Sequence, residues 1–216
     1  MKGLFQDRAD AGRYLAGQLP EYAGRRDVLV LGLPRGGVTV AFEVAQRLKA
    51  PLDVLLVRKL GVPGEKELAM GAIASGGVRV IHENLVRSLQ IPKRIVDDIA
   101  AEEEVELKRR EKLYHSRGGR TEIEGKTVIL VDDGIATGFT MRAAIEVLKK
   151  QRPARLIVAV PFASPAVQDD IADQVDEMIV SRSTDNFTSV GMAYQNFAQV
   201  TDAEVIRLLE MAHEVQ

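Results

Sequence analysis

The sequence predicts an α/β fold: a doubly wound, mostly parallel sheet with helices on both faces. Two observations predict it. Short continuous apolar runs at Val28–Leu31, Leu52–Val57, Val128–Val131, Leu156–Val160 and Met178–Val180 suit strands buried on both sides. Between them apolar residues recur at three- and four-residue spacing, so strand and helix alternate and the crossovers are right-handed. The 216 residues are 46% hydrophobic and 28% charged, enough to bury a core without a disulfide or metal staple. The chain reads as one domain over 1–216, with its core at about 27–180, a helical insertion at about 82–120 and a C-terminal segment at about 181–216.

The elements follow in order. An N-terminal helix carries Ala11, Leu15 and Leu19, and the helix behind the first strand carries Val38, Ala41, Phe42, Ala45 and Leu48. The second strand spans Leu52–Val57. Residues Leu68 to Ile81 read as two short strands turned at Ser75-Gly76-Gly77. Residues 92–115 read as one long helix opened by Pro92 and carrying Ile95, Val96, Ile99 and Leu107. Glu104 with Lys108 and Glu106 with Arg110 stand at the supportive four-residue spacing. That helix is either a solvated face with one buried edge or a docking face for a partner or second subunit. After the third strand a helix carries Ala144, Ile145 and Leu148. Ser164-Pro165 caps another carrying Val167 and Ile171. The last helix begins at Thr201, with Glu204 three residues on in a capping-box arrangement.

Composition excludes several function classes. With no cysteine, disulfide scaffolds, thiolate zinc sites and cysteine nucleophiles are out. A net charge of −2 gives no global nucleic-acid footprint, although a local anion pocket remains open. Met1 to Arg8 has no apolar leader region, and no apolar run approaches about 20 residues, so a soluble cytoplasmic protein without a membrane partner is expected. His82, His115 and His213 share no ligand spacing and read as structural or surface residues.

The chemistry concentrates in Val128-Ile-Leu-Val-Asp-Asp-Gly-Ile-Ala-Thr-Gly-Phe-Thr140. An apolar strand ends in two carboxylates, and a loop of small and hydroxyl residues leads into a helix. Open α/β sheets bind ligands outside the carboxyl ends of their strands, where this loop lies. Gly134 and Gly138 let successive N–H groups converge on one anion, Thr137 and Thr140 add hydroxyl donors, and the helix N-terminus favours negative charge. Asp132 and Asp133 suit vicinal hydroxyls or a hydrated Mg2+. A phosphate cradle beside hydroxyl acceptors describes a ribose 5-phosphate. The alternatives fit less well. No Lys follows Gly138 as a P-loop requires, and Gly32-Leu-Pro-Arg-Gly-Gly37 is not a dinucleotide fingerprint. An acidic pair that merely caps a turn leaves the rest of the loop unexplained.

The segment Asp132 to Thr140 behind four aliphatic residues resembles the phosphoribosyl-pyrophosphate signature of the type I phosphoribosyltransferase family. The resemblance runs in order over about residues 27–180. It implies that Asp132 and Asp133 bind the ribose hydroxyls, while Gly134, Ala136, Thr137, Gly138, Phe139 and Thr140 hold the 5-phosphate. Pro34-Arg35-Gly36-Gly37 is similar to the family's pyrophosphate loop, with Arg35 able to pair with phosphate as a bidentate fork. Arg58 and Lys59 resemble the Arg-Lys segment that reaches the diphosphate in adenine-type members, against the plain alternative of a solvated basic pair at a strand end. Gly61 to Leu68 has the hinges of a lid that would exclude water, with Lys66 its candidate functional residue.

The resemblance further implies a small hood, here the segment 181–216, that chooses the acceptor. Phe187 or Tyr194 is a candidate base platform, against the plain alternative that Phe187, Tyr194 and Phe197 pack the C-terminal helix. Gln195 stands where the tail of hypoxanthine-guanine-type members carries an acid. The implied reaction is Mg2+-dependent transfer of the phosphoribosyl group to a purine or related base, with pyrophosphate released. Mg2+ would be carried by the diphosphate, with Asp132 and Asp133 as further ligands, and the implied assembly is a homodimer. The competing readings are a ligand-sensing regulator of the same fold and a phosphohydrolase, for which no positioned nucleophile is evident.

Overall fold

Five parallel strands make the central sheet: β1 (Val28–Gly32), β2 (Leu52–Val54), β6 (Thr127–Val131), β7 (Arg155–Ala163) and β8 (Glu177–Ser183), in the spatial order β2-β1-β6-β7-β8. The computed structural model describes residues 4–114, 121–185 and 189–214, apart from the side chains of Lys66 and Glu67. Alternate residues of each strand feed opposite layers. Val28, Val30, Ile129 and Ile157 join a core with helices α2 (Gly36–Leu48), α4 (Lys93–Tyr114) and α7 (Asp202–Glu214). Leu29, Val128, Leu130 and Val158 join the other with α5 (Phe139–Lys150) and α6 (Pro165–Ala172). Burial on both faces is why these strands read as unbroken apolar runs.

The sheet runs outward from β1 to β2 in one direction and from β6 to β8 in the other. The order therefore switches between β1 and β6, and the crevice beyond their carboxyl ends is the binding position of a doubly wound sheet. The N-terminal helix α1 (Arg8–Ala16) packs on α2, with Leu19 buried just beyond its end. The segment before α1 is tied to the C-terminal part of the chain. Phe5 N–H donates to Ala193 O at 2.9 Å, Gln195 N–H to Phe5 O at 2.8 Å and Asn196 N–H to Gln6 O at 3.0 Å.

Two expectations need correction. The run Leu52–Val57 is not one strand. Leu55 N–H still donates to Gly32 O in the parallel sheet, but Leu56 O accepts from Ser75 N–H. The chain there crosses into a second, antiparallel sheet of β3 (Val57–Val62), β4 (Glu65–Ala74) and β5 (Val78–Ile81). Arg58 and Lys59 thus lie within β3 and not at the end of β2. The segment Gly61–Leu68 is likewise not an open loop. Val62 pairs with Glu65 across a tight turn at Pro63-Gly64, where Gly64 takes φ 84°, so the segment is a hairpin with bulges at Gly61. The β4–β5 hairpin and the long helix at 93–114 lie where the sequence places them, and a short helix α3 (Glu83–Ser88) precedes the latter.

Candidate functional site

Two loops meet at the switch point. The β6–α5 loop leaves Val131 with Asp132 and Asp133 and is pinned to β7 by Ile135 N–H donating to Phe162 O at 2.9 Å. It enters α5 through Gly138, which takes φ 75° as N-cap with no side-chain cap bond. The first N–H groups of α5 therefore lack a helical acceptor, and Phe139, Thr137 and Thr140 are exposed around them. Arg142, one turn into the helix, donates to Thr137 O at 2.7 Å, pairs with Asp170 and lies over the Phe139 ring at 5.2 Å. That clamp holds the loop open toward solvent. The result is an anion cradle at the positive end of a helix dipole.

The β1–α2 loop faces it. Pro34 and Arg35 are joined by a cis peptide, and α2 starts at Gly36 with Arg35 as an N-cap that makes no side-chain cap bond. Two helix N-termini, those of α2 and α5, thus frame the paired acids. Gly36 and Gly37 pack directly on those acids. A β-carbon on Gly36 would stand 1.9 Å from Asp133 Oδ2, and one on Gly37 would stand 2.8 Å from Asp132 Oδ1. Only bare α-carbons permit this approach.

Each acid has one oxygen tied down. Asp132 Oδ1 accepts from Asp133 N–H at 2.8 Å, and Asp133 Oδ2 accepts from Arg8 Nε at 2.7 Å. The two carboxyls also hydrogen-bond to each other, and among the described residues no other side chain donates to Asp132 Oδ2 or Asp133 Oδ1, so a pair of vicinal hydroxyls would meet the two acids as one unit. Burial and the neighbouring carboxylate of Asp133 push the Asp132 carboxyl well above the usual carboxylate range. Burial also raises Asp133, with the Arg8 guanidinium pulling the other way. Neutral or not, the pair is an expensive arrangement to hold out of water, which is the pattern of functional positions.

The cations divide. Arg35 Nη1 lies 3.7 Å from Asp202 Oδ1 in the first turn of α7, and the same oxygen accepts from the Tyr114 hydroxyl at 2.5 Å. Arg58 donates to Glu103 of α4 at 2.5 Å. Lys59 Nζ lies 5.1 Å from the Phe139 ring centroid, which brings β3 to the anion cradle. Arg58, Lys59 and Thr140 line one cavity of about 490 Å³ with the β3–β4 turn and α4. So Arg58 and Lys59 stand beside the α5 cradle. Among the described residues the Arg35 side chain pairs with Asp202 alone.

The remaining expectations resolve unevenly. Tyr194 is buried between Phe5 and Phe197, at centroid distances of 6.2 and 5.3 Å, and its hydroxyl donates to Asp133 O at 2.5 Å. Its ring packs and its hydroxyl braces the acid loop, so it offers no open face for a base. Phe187, His115 and the Lys66 side chain lie outside the described residues. His82 bridges Ala69 O and Glu146 at 3.1 and 3.0 Å, consistent with a structural role. Among the described residues no group of three or more acidic or histidine side chains could hold a metal by itself. Asp132 Oδ2 and Asp133 Oδ1 are nevertheless oxygen donors of the kind Mg2+ takes, supplementing water and substrate phosphates. Sequence reasoning missed Arg8, Glu103 and Asp202, since no local pattern links them to the site.

A family model for the phosphoribosyl transferase domain matches residues 63–196. The chain belongs to this family. A Mycobacterium tuberculosis protein that carries a provisional phosphoribosyl transferase name is 44% identical over 210 residues, covering 97% of this chain and 47% of that protein. The chain therefore spans about half the length of the curated relatives it first matches. The bifunctional protein PyrR of a Roseiflexus species is 29% identical over 172 residues, covering 74% of this chain and 88% of the relative. A crystal structure from Thermus thermophilus is 40% identical, superposes with a TM-score of 0.87 and covers 95% of this chain and 97% of that one. The type I phosphoribosyltransferase fold expected from the motif is the fold observed. No helix among the described residues is long and apolar enough to cross a membrane.

Proposed function

We propose that the chain transfers the 5-phosphoribosyl group of phosphoribosyl pyrophosphate to a purine or related nitrogenous base and releases pyrophosphate. One observation carries the reading: two adjacent, buried carboxyls lie between the N-termini of α2 and α5, neither of which has a side-chain cap. Asp132 and Asp133 accept from the ribose hydroxyls. Gly134, Ala136, Thr137, Gly138, Phe139 and Thr140 take the 5-phosphate, and Pro34, Arg35, Gly36 and Gly37 face the diphosphate across the crevice. Arg58 and Lys59 come over the cradle from β3 and complete the positive surroundings of the leaving diphosphate.

The nucleophile is the acceptor nitrogen, which forms a bond to C1 of the ribose as the C1–O bond to pyrophosphate breaks, its proton passing to the departing pyrophosphate or to water. The electron pair leaves on the diphosphate, so the residues that matter are those that meet that charge. The Arg35 guanidinium is held, among the described residues, by a long pair to a half-exposed Asp202 and can turn to the diphosphate at small cost. Asp132 and Asp133 offset the cation that develops on the sugar ring. Mg2+, when bound with the diphosphate, neutralises part of its charge, and Asp132 Oδ2 and Asp133 Oδ1 are the protein oxygens available to it. The same reading takes the protein as a cytoplasmic homodimer.

The experiment is calorimetric titration with phosphoribosyl pyrophosphate and Mg2+, followed by pyrophosphate release across a panel of bases. Micromolar binding, about −8 kcal/mol, that is lost in Asp132→Asn/Asp133→Asn fits the proposal. Absence of binding to the wild type overturns it. A second reading, a ligand sensor of the same fold, draws on the Arg58–Glu103 pair, which holds one diphosphate cation on α4. It predicts binding of the donor with no pyrophosphate release for any base.

A further inference from the structure

Among the described residues Arg8 is the one buried cation, only 9% exposed. Its location is unfavourable for the helix that carries it. Arg8 is the first residue of α1, where the dipole repels positive charge, and the N-cap function belongs to Asp7. Nor is it needed to join the two ends of the chain, since three backbone hydrogen bonds already tie Phe5 and Gln6 to the segment 193–196. What Arg8 does instead is reach Asp133, 125 residues away, with Nε donating to Oδ2 at 2.7 Å. Nη1 donates to Ala198 O at 2.7 Å, and the guanidinium lies 3.9 Å from the Phe197 ring centroid. Held on three sides, it has little freedom left to lose when it pairs.

The oxygen that Arg8 takes is the one that faces Gly36. The ideal β-carbon of Gly36 would stand 1.9 Å from Asp133 Oδ2 and 2.8 Å from Arg8 Nε, so the ion pair sits in the space a side chain would fill. We propose that Arg8 is a positioning residue of the donor site: by holding Asp133 Oδ2 against Gly36 it orients the carboxylate so that Oδ1 serves the ribose hydroxyls. It also offsets one of two adjacent negative charges where a polyanionic donor must enter. This rests on the donor-site reading above, and it adds a residue from α1 that the phosphate-binding motif does not contain.

The test compares wild type with Arg8→Gln and Arg8→Lys by crystal structure and by titration with phosphoribosyl pyrophosphate and Mg2+. In Arg8→Gln the Asp133 carboxylate is expected to leave the Gly36 face. Donor affinity is expected to fall about tenfold or more, the weight of a charge-assisted hydrogen bond. Arg8→Lys restores the charge without the fork and the stack, and so recovers part of that loss. An unmoved Asp133 carboxylate in Arg8→Gln, or unchanged donor affinity there, overturns the proposal even if the melting temperature falls. Should Arg8→Gln fail to fold, Arg8→Lys carries the test, since Phe197 also packs on Tyr194 and cannot be changed for Arg8 alone. A displaced Asp133 carboxylate with weakened donor affinity in Arg8→Lys supports the proposal, and an unmoved carboxylate with full affinity overturns it. If the wild type takes no donor, the transferase reading fails, and the crystallographic comparison by itself decides the role of Arg8.

Discussion

Gly36 and Asp133 touch across the crevice at the switch point, the α-carbon of one against the carboxylate of the other, with room for no β-carbon between them. The two loops of the site are therefore one packed unit. Gly36→Ala forces Asp133 or the loop to move, at a cost of about 1–3 kcal/mol typical of overpacking. The expected outcome is a folded protein with a lowered melting temperature and donor binding weakened at least about tenfold. Calorimetry and thermal melting on the same preparation check both; full donor affinity would show that the contact is incidental.

The raised carboxyl of Asp132 carries a sign. The folded state holds that proton more tightly than the unfolded chain, so its stabilising contribution is present at low pH. It is lost as pH rises through the raised value. Near neutral pH the Asp132 carboxyl thus works against the fold. Asp132→Asn is expected to raise the melting temperature at pH 7–8 by a few degrees, to have little effect below about pH 4, and to weaken donor binding. Melts across that range decide it, and a lower melting temperature at neutral pH would contradict the argument.

Lys59 and Arg58 point into different surroundings from adjacent positions of β3. Lys59→Ala removes the cation next to Phe139 and is expected to lower kcat/KM at least about tenfold while leaving the fold intact. Glu103→Gln breaks a half-exposed pair and is expected to change stability by less than about 1 kcal/mol. By releasing Arg58 it should strengthen donor binding, an effect that titration at low and moderate salt would expose.

Leu60 is fully buried on the same strand and joins β3 to the core that holds α4. Leu60→Ala is expected to cost about 2–5 kcal/mol in denaturant unfolding. Because the strand also places Lys59, turnover should fall more than donor affinity. Equal losses in both would indicate general unfolding and not a displaced hairpin.

The local parts of the protein were legible in the amino-acid sequence. Val128 to Thr140 specifies strand, acidic pair, cradle and helix within one stretch, because backbone N–H groups and a helix dipole need no distant partner to face an anion. The same holds for Pro34 to Gly37 before α2 and for the alternation that implies the sheet. Periodicity failed at Leu52–Val57, since a buried strand that runs on through Leu55 and Leu56 into a strand of another sheet gives the same apolar run as one strand. It also gave no sign that Gly61–Leu68 pairs with itself. What only the tertiary structure decided is which distant residues complete the site. Arg8 meets Asp133 and Asp202 meets Arg35 because β1 and β6 are neighbours and the first and last helices fold back over them, while Glu103 meets Arg58 because α4 packs on β3. Such pairings depend on where the chain crosses the sheet, and no spacing within one segment encodes that.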